Sequence, residues 1–126
     1  MSDLRLGTFE IYVLARDFSR KIWKVFCGLP APVRFKTGWQ LVESADSVQA
    51  NIAEGFGRFH FKDKRNFEFH ARGSLLEALS WCEILHERGF IDQVELQEIQ
   101  ELGNLLSVKL NNHIAYLTRQ SSPNNT

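Results

Sequence analysis

The chain has 126 residues, a formal net charge of +0 and a pI near 6.9. That length suits one domain with a real hydrophobic core, and 44% hydrophobic with 24% charged residues is the balance of a soluble globular protein. No apolar run is long enough to span a bilayer, MSDLRLGTFE lacks the apolar centre of a secretory signal, and two cysteines supply neither a disulfide framework nor a metal-ligand spacing.

Both cysteines, Cys27 and Cys82, fall in apolar-periodic segments, which predicts buried free thiols and a reduced, cytoplasmic setting. The neutral total hides an uneven distribution. Residues 16–36 hold Arg16, Arg20, Lys21, Lys24, Arg34 and Lys36 against Asp17 alone. Residues 58–72 hold Arg58, Lys62, Lys64, Arg65 and Arg72 against Asp63 and Glu68. Residues 77–101 reverse the sign, with Glu77, Glu83, Glu87, Asp92, Glu95, Glu98 and Glu101 against Arg88. Such blocks fit a nucleic-acid footprint, but at zero net charge they fit better as basic and acidic faces that meet within a bundle or between copies.

In chain order, Ile11, Leu14, Ala15, Phe18, Ile22, Val25 and Phe26 recur at helical spacing and predict a first helix over 9–27, with Thr8 as N-cap and Gly28 as stop. The prolines of 28–32 predict a loop, with Val33 and Phe35 tucked under the bundle end. A second helix, 37–56, carries the apolar row Leu41, Ala45, Val48, Ile52 and Phe56, and Gly55–Gly57 supply the residue type that a left-handed helix end favours. A third, 63–88, carries Phe67, Ala71, Leu75, Ala78, Trp81, Cys82 and Leu85. Gly73 in its middle costs about 1 kcal/mol relative to alanine, which predicts a close helix–helix approach there. Asp92 and Glu95 have the form of a capping box opening a fourth helix, 93–118, with Leu96, Ile99, Leu102, Leu106, Leu110, His113 and Leu117 on one face. Residues 120–126 are polar and predict a disordered tail, and the first residues a frayed start. Four amphipathic helices of similar length with short connections predict an all-α, antiparallel up-down four-helix bundle.

The candidate site residues form two groups. Ser44, Ser47, Asn51, Glu54 and Arg58 recur at three and four, so they share one face of the second helix. This row, with Gly73 and Glu77, suits a polar network or oligomer contact ahead of a ligand site, a small-ligand or metal-binding bundle being the alternative, and Glu77, Arg72 or His70 are its expected partners. The second group is Arg58, Lys62, Lys64, Arg65 and Arg72, whose neighbours Phe59, His60 and Phe61 could stack on bases while the cations neutralise phosphates. A solvated helix start with core phenylalanines accounts for the same pattern. Glu83 and His86 make one Glu-x-x-His pair where a di-iron bundle needs two, so no metal site is expected. Gly55-Phe56-Gly57-Arg58 lacks the strand and lysine of a phosphate loop, and no serine has a base placed beside it by spacing. No catalytic residue and no cofactor is expected, and the chain is read as non-enzymatic.

Asn51–Arg58 (NIAEGFGR), then Phe67 and Ala71–Glu77 (ARGSLLE), resemble the bacterial intervening-sequence protein family, encoded within insertions in large-subunit ribosomal RNA genes or standing alone. The resemblance spans about residues 9–118. It implies a cytosolic up-down four-helix bundle assembled as a homopentamer with no established activity. It also implies a fold similar to the accessory protein of diversity-generating retroelements, which binds nucleic acid and a reverse transcriptase. Gln49 stands where many members have proline, and Glu43 and Ser44 where many are basic, which weakens the nucleic-acid reading.

Overall fold

The computed structural model describes residues 5–121. Among these, four long helices carry the fold, with no strand: α1 (Glu10–Gly28), α2 (Trp39–Phe56), α3 (Phe61–Glu87) and α4 (Gln93–Gln120). Each packs on its neighbours in sequence, and α4 closes back onto α1, so the four enclose one core. The apolar rows meet there. Ala15 and Phe18 of α1, Leu41, Val48 and Ile52 of α2, Ala78 and Leu85 of α3, and Ile99 and Leu106 of α4 are closed to solvent. Burial of those rows, at about 25 cal/mol per Å² of apolar surface, is the main favourable term holding the helices together.

The start of α1 differs from the expected cap. The Thr8 hydroxyl donates to the Arg5 carbonyl at 2.9 Å inside a 3-10 turn (Leu6–Thr8), and Phe9 takes the N-cap position with no side-chain bond. The Phe9 ring instead lies 5.1 Å from both Phe56 and His113, so aromatic packing rather than a hydroxyl sets where the chain enters the helix.

The connection to α2 is also more helical than the prolines suggest. Pro30 is extended, and Pro32 lies in a short turn, Ala31–Val33, where a missing N–H has no helical partner to lose. A π-helical turn, Arg34–Gly38, then runs directly into α2. Val33 is half-buried, but Phe35 is exposed rather than tucked away.

Three glycine and cysteine expectations change as well. Gly57 has φ −80° and ψ −4°, and Gly89, at φ 83°, is the residue with left-handed backbone among those described. Gly55 matters through closeness: a Cβ there would sit 3.1 Å from the Lys64 carbonyl oxygen and from the Phe67 Cβ. Gly73, the expected close approach, has nothing within 4 Å of such a Cβ and is exposed within the protomer. Cys82 is buried, but Cys27 is exposed, on the outer side of the last turn of α1. Burial, with the charges of Glu95 and Glu83 adding to it, pushes the Cys82 thiol up to about 12.

At α4, the Asp92 carboxylate accepts from the Glu95 amide at 2.8 Å, half of the capping box. The helix continues through Gln120, and Ser121 closes it by donating to the Leu117 carbonyl. The tail expectation for 122–126 and the frayed start at 1–4 lie outside the described residues.

Candidate functional site

The polar row of α2 becomes a seam against α3. Ser44 is buried and donates to the Leu41 carbonyl at 2.9 Å, so its hydroxyl is satisfied one turn back. The Asn51 amide donates to the Ser47 carbonyl at 2.8 Å and to the Ser47 hydroxyl at 3.0 Å. Ser74 of α3 then donates to Ser47 at 3.0 Å, and this bond crosses between the helices. At the C-terminal end, Arg58 pairs with Glu54 at 3.4 Å and lies over the Phe67 ring at 4.7 Å. The expected partners are engaged elsewhere: Glu77 accepts from the Trp81 indole at 3.1 Å, and Arg72 donates to Asn111 of α4 at 3.1 Å. Ser74 sits between Gly73 and Leu75, and its i, i+3 relation to Glu77 was the available signal that it belongs with that face.

The basic cluster at the α2–α3 turn is largely spent on the chain's own groups. Lys64 donates to the Phe56 carbonyl at 3.1 Å and leans on its ring, while Arg65 and Arg72 both lie over Phe69, at 5.7 and 5.1 Å. Such cation–ring contacts contribute about 0.5–1 kcal/mol each at exposed sites. Lys62 is exposed without a partner among the described residues, three residues after Phe59, which is 87% exposed.

One pair escaped the sequence reading. Glu68 occupies an inward position of α3, between Lys64 and Ala71 on the apolar face, and is only 2% exposed. Both of its carboxylate oxygens face Nδ1 of His113 on α4, at 2.8 and 2.6 Å. A carboxylate can only accept, so Nδ1 carries the proton and donates. The imidazole is held edge-on by Phe9 and tilted against Tyr116 at 5.7 Å. Above the pair lies a concavity of about 210 Å³ walled by Phe9, Phe56, Phe61 and Tyr116, with Lys64 at its edge. Glu68 within the basic block and His113 within an apolar row were the two breaks in pattern that could have disclosed it.

Among the described residues, no cluster of three or more His, Cys, Asp or Glu has the geometry of a metal site, and no helix is long and apolar enough to cross a membrane. Residues 7–112 match the family model of the 23S rRNA-intervening sequence protein. The chain belongs to this family. Among solved structures, it is similar to a protein of unknown function from the S23 ribosomal protein family of Bacteroides thetaiotaomicron VPI-5482, with 21% identity and a TM-score of 0.78. The alignment covers 82% of this chain and 97% of that one. At that identity the likeness speaks for the fold alone. No curated protein matches the chain.

Proposed function

We propose that this intervening-sequence family member is a non-enzymatic scaffold: an antiparallel up-down bundle that assembles head to tail with copies of itself in a closed ring, the pentamer that the family resemblance implies. Antiparallel packing is supported by cross-helix pairs in opposed order, since Glu10 meets Lys109 at 3.7 Å while Lys21 meets Glu98 at 3.2 Å. The observation that carries assembly is the division of charge between two faces. Along the α1–α2 groove run Arg16, Arg20 and Lys24, with Trp23 51% exposed among them. On the α3–α4 side, Glu83, Glu87 and Glu101 are exposed, with Leu76 at 61% and Leu105 at 46% beside them. Each face pairs exposed apolar area with a predominant sign of charge, three cations against the single Asp46 in the α1–α2 groove, and the two predominant signs complement each other. A contact between unlike faces of identical chains is heterologous, and such contacts close into rings when the rotation permits. Unpaired cysteines suit a reducing cytoplasm.

Native mass spectrometry of the protein purified without nuclease tests this. One discrete oligomer is the expected result, and reversing Arg20 and Lys24 to glutamate should reduce it to monomer. Reversing Glu83 and Glu87 to lysine should do the same. Mixing the two variants restores unlike-charge contacts only in alternation, so even-membered or open assemblies can re-form and the closed pentamer should not. A monomeric wild type, or variants that still assemble, would sink the ring.

A second reading, nucleic-acid binding, is favoured by one observation, the exposed Phe59 three residues before unpartnered Lys62. It requires an affinity that falls steeply with salt and weakens on Lys62→Glu. Binding indifferent to salt counts against it.

A further inference from the structure

We infer that the concavity over Glu68 and His113 is a binding site for a small aromatic carboxylate, a single planar ring bearing one acidic group. The first ground is the position of Glu68. An inward-facing helix position that continues an apolar row takes a leucine at lower cost than a carboxylate, because desolvation offsets most of what a buried ion pair returns. Glu68 is therefore better accounted for by what it does to His113 than by what it adds to the fold. The bond to both carboxylate oxygens sets the tautomer, with Nδ1 donating, and orients the ring. The other ring nitrogen, Nε2, makes no hydrogen bond among the described residues, and the His113 side chain retains 29% of its exposure.

The second ground is the shape and chemistry of the space. A volume of about 210 Å³ admits a small molecule, and a lining that includes Phe9, Phe56, Phe61 and Tyr116 favours a flat aromatic guest. The third is charge. The one acidic side chain in the lining, Glu68, is already matched by His113, whereas the Lys64 ammonium contacts the carbonyl and ring of Phe56 and no acidic side chain. An arriving carboxylate thus finds a cation in Lys64, while a ring hydroxyl, as in 4-hydroxybenzoate, can donate to the Nε2 lone pair of His113, with both groups already held in place before binding. The site lies on one chain and does not depend on assembly.

The experiment is a titration of the full-length protein with benzoate and 4-hydroxybenzoate, using the neutral benzamide as control, read by calorimetry and by the His113 side-chain ¹H–¹⁵N resonances. Saturable binding of the acids that moves the Nε2 resonance is expected, with benzamide roughly tenfold weaker. Lys64→Met, a change at the edge rather than in the core, should weaken the acids by about the same factor and leave benzamide unaffected. Glu68→Gln should weaken both acids while the fold persists by circular dichroism. If Glu68→Gln unfolds, Lys64→Met still decides the matter. No saturable shift with either acid, equal binding of the amide, or acid binding indifferent to Lys64→Met would overturn the inference.

Discussion

Two polar insertions enter the helix interfaces, and they are satisfied in opposite ways. At the α2–α3 seam, Ser44 and Asn51 turn back on their own helix, to Leu41 and Ser47, and a single hydroxyl bond from Ser74 crosses over. At the α3–α4 interface, Glu68 has no local partner and relies on His113, 45 residues away. The seam therefore survives loss of its cross-helix bond with its other groups still satisfied. The Glu68–His113 pair has no such fallback, since removing either member strands the other.

That contrast can be broken most directly at His113. His113→Leu leaves a buried carboxylate without a donor and should destabilise the chain by about 3 kcal/mol in urea unfolding. The double variant Glu68→Leu/His113→Leu should recover most of that loss, and a double variant as unstable as the single one would deny the pair its interdependence. Cys82 offers a third solution, a buried ionisable group kept neutral. Its folded value, about 12, lies above the ordinary 9.0, so the folded chain holds that proton more tightly than the unfolded chain does. The resulting stability is present in full below about pH 9 and is lost as pH rises from there towards 12. Thermal melts of wild type should thus lose more between pH 8 and about 10.5 than melts of Cys82→Ala, which has no thiol to ionise.

Smaller effects sharpen the seam. Gly55→Ala forces a methyl against the α3 backbone at Lys64 and should cost about 1–2 kcal/mol. Gly73→Ala meets nothing and should stabilise the protomer by about 0.5–1 kcal/mol through helix propensity. Equal signs for the two would contradict the packing described. Ser74→Ala, which removes one partly buried hydroxyl bond, should cost about 1 kcal/mol or less.

What was legible in the residues follows from range. Helical periodicity places Phe18, Ile52, Leu75 and Leu106 in the core, because a helix face is a property of residues three and four apart. Asp92 as a cap is legible for the same reason. Thr8 misled because Phe9 packs on Phe56 and His113, distant residues that outweigh a local hydroxyl. Gly73 misled because propensity records the cost of a glycine without its cause, and the close approach sits at Gly55 instead. Glu68 and His113 each looked unremarkable, one a charge among charges and the other a histidine in an apolar row. Only the packing of α3 on α4 makes them one unit.

The two cysteines also turn the molecule into its own clock. Cys27 is open to reagent from the start, while Cys82 is sealed in the core and lacks thiolate at neutral pH. An alkylating agent should therefore mark one site at once and the other only when the core opens. The lag between the first and second mass increments reads the opening frequency of the native state, with no dye or denaturant introduced.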